Sequence, residues 1–103
     1  DVERDWSYAG DICEGLAAIT DVRYVGDVIL ASGTTVRLAD IVAAAFRSVG
    51  ITDWKAYVRT DPALVRTEGL TRRFDVSLAC NVLGWSTQTP LEMWVAKMVE
   101  PFR

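Results

Sequence analysis

From Tyr8 to Ile19 the apolar residues Tyr8, Ile12, Leu16 and Ile19 recur at helical spacing, the stripe of an amphipathic helix, with Ser7 placed to cap it. Val28-Ile29-Leu30-Ala31 is a short apolar run that reads as a buried strand, and Ser32-Gly33-Thr34-Thr35 after it is turn chemistry. The clearest helix spans about 36 to 49, with Leu38, Ile41, Val42, Ala45 and Val49 on one face and Gly50-Ile51 as its stop. Alternation over Trp54–Arg59 predicts a strand with Trp54, Ala56 and Val58 on one side, broken by Asp61-Pro62. Residues 63 to 69 then read as a loop, and Thr71–Phe74 as another short strand.

Asp75 predicts the N-cap of a short helix, because its carboxylate can accept the orphan N–H groups of a first turn. Gly84 suits the left-handed residue that ends it, and Trp85 the apolar contact that follows. Thr89-Pro90-Leu91-Glu92 predicts a final helix with a threonine cap and a glutamate closing a capping box. Leu91, Trp94, Val95, Met98 and Val99 form its apolar stripe, and Pro101 ends it. The sum is an α+β unit of about four helices with two or three short strands, too few for a complete Rossmann sheet.

With 103 residues the chain makes one domain, residues 1–103, with a single modest core. Half its residues are apolar and 24% charged, which excludes a disordered chain. A net charge of −3 argues against a nucleic-acid surface. The one basic pair, Arg72-Arg73, is more often a solvated strand end than a phosphate clamp. The apolar runs are too short to span a bilayer. Cys13 and Cys80 match no metal spacing, and without histidine the usual catalytic zinc site has no ligand set. They read as buried or half-buried thiols in a reducing, cytoplasmic compartment. The chain opens Asp1-Val2-Glu3-Arg4, with no signal peptide and no initiator methionine, so a piece of a longer protein is expected.

None of the seven glycines has the spacing of a dinucleotide-binding turn. A tyrosine base needs a lysine one helical turn on, but Tyr8, Tyr24 and Tyr57 are followed there by Ile12, Val28 and Asp61. Serine and cysteine nucleophiles lack a histidine to activate them. No catalytic residue is assigned, and no cofactor is expected on this chain alone.

Arg4-Asp5-Trp6, with Asp11 five positions past the tryptophan, resembles the R-D-W/F-x-x-x-x-D segment of extended short-chain dehydrogenases acting on nucleotide sugars. Ala31-Ser32-Gly33 with Thr35-Val36-Arg37 is similar to a matching stretch of the GDP-mannose 4,6-dehydratases. So is Asp61-Pro62 with Arg66, Glu68, Asp75 and Leu83-Gly84-Trp85. The likeness runs from residue 4 to about residue 100. It implies the C-terminal substrate-binding portion of a lyase that oxidises C4 of the sugar, eliminates water across C5–C6 and returns the hydride. A related epimerase or reductase is a close variant.

The resemblance implies that Arg66 contacts the substrate diphosphate, Glu68 a ribose hydroxyl or the base, and Arg4 a second phosphate position. A guanidinium fork matches phosphate oxygens, and a carboxylate accepts hydroxyl hydrogens. Glu68 lies two positions after Arg66 where the family has three, which reads as a one-residue deletion. Implied with these are a GDP-mannose-like substrate, NADP or NAD in the parent enzyme, a separate N-terminal Rossmann portion and a homo-oligomer. Two other classes remain open: a free-standing nucleotide-sugar-binding module, and a structural or oligomerisation unit.

Overall fold

In the computed structural model, described for residues 3–23, 26–64 and 72–103, there are four α-helices and a two-stranded sheet. The helices are α1 (Ala9–Thr20), α2 (Leu38–Arg47), α3 (Ser77–Leu83) and α4 (Leu91–Val99). The strands are β1 (Glu3–Arg4) and β2 (Val36–Arg37), antiparallel, with Glu3 opposite Arg37 and Arg4 opposite Val36. This is the small α+β unit expected, with the strands in other places.

Val28–Ala31 forms no ladder; Ile29 is 48% exposed and only Ala31 is buried. The run is apolar enough for a strand but has no neighbouring strand among the described residues. Trp54–Tyr57 is a 3₁₀ turn, which brings the Tyr57 ring onto Phe46 with centroids 5.8 Å apart, and the chain becomes extended only at Val58. Arg72–Phe74 is not a strand either, and Thr71 lies outside the described residues.

The helices obey their stop signals better than their start signals. Gly84 ends α3 at φ +63°, with its N–H on the Cys80 carbonyl and the Trp85 N–H on that of Ala79. Gly50, at φ +84°, follows α2, and the Ile51 N–H returns to the Phe46 carbonyl. At the start of α3 the residue before the helix is Val76, yet the Asp75 carboxylate accepts the Ser77 N–H at 2.9 Å, the bond expected of a cap. Ser7 does not cap α1, whose flanking residue is Tyr8. The capping box expected at Thr89 and Glu92 is absent. Thr89 is drawn to Asp11, and Glu92 pairs with Arg47 across to α2.

The main core lies between α2 and α4, where Ala44, Trp94 and Val95 are buried and Tyr8, Ile41, Ala45, Leu91 and Val99 pack around them. The buried positions of α1 are Asp11 and Gly15, not the expected stripe, and Leu16 is 55% exposed. Leu38 and Met98 are likewise exposed. A Cβ on Gly15 would sit 3.0 Å from the side chains of Leu30 and Trp85, so the bare helix is what lets both approach α1. Cys13 and Cys80 are exposed, a correction to the buried thiols expected. The radius of gyration is 16.4 Å, against about 13 Å for a compact domain of this length. That flat shape explains why helical stripes chosen for burial keep one open side. Among the described residues no helix is long and apolar enough to cross a membrane.

Candidate functional site

The seven residues from Asp5 to Asp11 organise the polar interior. Asp5 follows β1 and turns its carboxylate onto the loop before β2. It accepts the Ser32 N–H at 2.9 Å, the Ser32 hydroxyl at 2.7 Å and the Gly33 N–H at 2.8 Å. Gly33 sits at φ +83°, which only glycine adopts without strain, and this turns two successive N–H groups toward one carboxylate. Asp11, in the first turn of α1, is 5% exposed. Its carboxylate accepts the N–H groups of Gln88 and Thr89, at 3.3 and 3.1 Å, and the Thr89 hydroxyl at 2.9 Å. Its backbone carbonyl accepts the Trp85 indole N–H at 2.9 Å. A buried carboxylate is costly unless its lone pairs are used, and here they are.

Three cavities are lined in part by residues of this segment. One, of 320 Å³, is walled by Ile12, Ile29, Leu30 and Phe74, with Asp5 and Ser7 supplying the polar groups. Another, of 280 Å³, lies between Ser32–Thr34 and Thr87–Leu91 over Trp6 and Trp94. A third, of 540 Å³, is an apolar groove between Tyr8, Leu38, Ile41, Trp94 and Met98.

Of the three site residues expected from the sequence, Arg4 is on β1 and exposed. Arg66 and Glu68 lie outside the described residues. Their segment is bracketed by well-formed turns. Before it, Asp61 accepts the N–H groups of Ala63, through its carboxylate, and of Leu64, through its carbonyl, both at 3.0 Å. After it stands the Asp75–Ser77 cap. Arg4 immediately precedes Asp5, and Arg72-Arg73 immediately precede Phe74. Three arginines thus stand within two positions of residues lining the 320 Å³ cavity. Arg72 and Arg73 are exposed, as expected of a solvated pair, although they belong to no strand.

Asp75, at the mouth of α3, is held below its ordinary value of 3.8, first by the Ser77 side chain and then by the Ser77 N–H. Asp40 is held low by Arg37, whose guanidinium lies 3.2 Å away. Both groups are exposed local pairs and mark helix starts.

A family model described as GDP-mannose 4,6 dehydratase matches residues 1–98. The chain belongs to that family. It is 30% identical over 98 residues to GDP-mannose 4,6 dehydratase 1 of Arabidopsis thaliana, covering 94% of this chain and 27% of the relative. It is 29% identical over 116 residues to GDP-mannose 4,6-dehydratase of Sinorhizobium fredii (strain HH103), covering 96% of this chain and 33% of that one. Among solved structures, UDP-glucuronic acid 4-epimerase from Bacillus cereus, in complex with NAD, superposes with a TM-score of 0.66 at 18% identity. That match covers 98% of this chain and 32% of the epimerase, and shows a shared fold. The chain therefore spans about a quarter to a third of the length of these relatives.

Proposed function

We propose that this chain is the nucleotide-sugar-binding portion of an enzyme of the GDP-mannose 4,6-dehydratase type. The observation that carries the reading is the family match over residues 1–98, which spans both ends of the expected binding stretch. In this reading Arg66 contacts the diphosphate, Glu68 a ribose hydroxyl or the base, and Arg4 a second phosphate position. A doubly charged diphosphate favours more than one guanidinium group, the chemistry that Arg66 and Arg4 offer.

The parent reaction needs a nicotinamide cofactor, NADP or NAD, to take the hydride from C4 and return it. The residues described do not fit that group. The β2–α2 junction runs Val36-Arg37-Leu38 without a glycine, so its backbone offers no close approach to a pyrophosphate. The reading assigns cofactor and proton transfer to other polypeptide, and gives this chain the tasks of binding and orienting the substrate. Calorimetric titration with GDP-mannose tests it: saturable heat is expected, and none at millimolar ligand would overturn it.

A structural or oligomerisation unit is the second reading. The apolar groove beside the exposed Leu38 and Met98 favours it, because a contiguous apolar surface normally meets another protein surface. Sedimentation of the chain alone separates the two, since only this reading requires self-association without ligand.

A further inference from the structure

The 280 Å³ cleft over Trp6 combines an uncharged lining with five hydroxyl or amide side chains, whereas the 320 Å³ cavity carries Asp5 and the 540 Å³ groove is mostly apolar. We propose that it is a second binding site, one that takes a single neutral polyhydroxylated ring of the hexose class stacked on Trp6. Two tryptophans line it: Trp6 is 41% exposed, and Trp94 is buried. A pyranose has an apolar C–H face and a rim of hydroxyls. An indole face bordered by hydroxyls matches both surfaces at once.

The polar groups on the rim retain hydrogen-bonding capacity. The Thr87 hydroxyl makes no hydrogen bond among the described residues. The Gln88 amide nitrogen donates to Ser86, which leaves its carbonyl oxygen available. Thr89 donates its proton to Asp11 and keeps acceptor capacity.

The walls are fixed before any ligand arrives. Asp5 ties down Ser32 and Gly33 on one side, and Asp11 ties down Gln88 and Thr89 on the other. Both carboxylates are spent on backbone N–H and hydroxyl donors, and neither lines the cleft. Asp5 and Asp11 are therefore positioning residues, and a site ordered in advance loses less entropy on binding. Ligand sites commonly run from about 300 Å³ upward, so a cleft of 280 Å³ suits one ring. No cationic side chain lines it, so the site stands apart from the diphosphate reading.

Saturation-transfer NMR on the full 103-residue chain tests the proposal, with methyl β-D-glucopyranoside as probe because its axial hydrogens give flat apolar faces. Saturable transfer at millimolar probe is expected, strongest to the ring C–H protons. Trp6→Ala should abolish it, while Trp6→Phe, checked for native circular dichroism, retains it with severalfold weaker binding. Thr87→Val should also weaken it severalfold. Arg66→Ala and added GDP should leave it unchanged, which separates this site from nucleotide-sugar binding. No saturable transfer, transfer that persists in Trp6→Ala, or displacement by GDP would overturn the proposal.

Discussion

Asp11 and Thr89, seventy-eight positions apart, are joined by two hydrogen bonds, from the Thr89 N–H at 3.1 Å and from its hydroxyl at 2.9 Å, both to the Asp11 carboxylate. With the Gln88 N–H and the indole of Trp85, this one residue fastens the start of α4 to the start of α1. Hydrogen bonds to a charged group contribute about 1.5–3 kcal/mol, and stranded donors add to the loss. Asp11→Ala is expected to cost about 2–3 kcal/mol, or ~10–20 °C in melting temperature for a domain this small. Thr89→Val keeps both backbone bonds and should cost about 1 kcal/mol. Urea denaturation of the two variants checks the ranking, and equal losses would mean that the hydroxyl carries the latch.

Two glycines should respond differently to alanine. At Gly15 a methyl group would meet Leu30 and the Trp85 ring at 3.0 Å, and the ring is held by its bond to Asp11. Overpacking costs about 1–3 kcal/mol, against about 1 kcal/mol regained from helix propensity. A net loss of up to about 2 kcal/mol follows, with a shift in Trp85 fluorescence. At Gly84 there is open space, and only the backbone at φ +63° objects. Gly84→Ala should lose about 1–2 kcal/mol with the Trp85 emission unchanged.

Acid should loosen the start of α3. The Asp75 pKa is depressed below 3.8 in the folded state, so the ionised cap stabilises the fold above that value. That contribution falls away as pH drops from 3.8 through the lower, folded-state value. Ser77→Ala removes the larger cause, and the Asp75 midpoint should move back toward 3.8. A carboxyl-carbon NMR titration of the two proteins reads this directly, and an unchanged midpoint would contradict it.

The helices were legible because each carries a periodic apolar signal and a terminating residue. Gly50 and Gly84 fixed their ends to within a residue or two. Which face of a helix is buried was less legible. In α1 the buried positions are Asp11 and Gly15, because a carboxylate that gathers three donors and a glycine that admits Leu30 outweigh the Ile12–Leu16 stripe. The strands were illegible. Glu3–Arg4 and Val36–Arg37 are two residues each, too short to show alternation, and their pairing spans more than thirty positions. Val28–Ala31 shows the converse, since an apolar β-branched run becomes a strand only where an edge is free to receive it. Asp5 and Asp11 stand in the motif that marked the family, yet their partners at 32–33 and 88–89 follow from no local rule. Of the contacts that the resemblance implies, Arg66 and Glu68 lie outside the described residues, and Arg4 stands exposed on β1.

The central claim is that this chain supplies the phosphate-binding guanidinium groups of a nucleotide-sugar site. Calorimetric titration of the chain and of Arg66→Ala with GDP-mannose, at equal protein concentration and low salt, tests it most directly. Losing a bidentate contact worth about 1.5–3 kcal/mol weakens binding by roughly ten- to a hundredfold. Saturable heat for the parent chain and that degree of loss in the variant are the expected results; identical isotherms for the two would contradict the account.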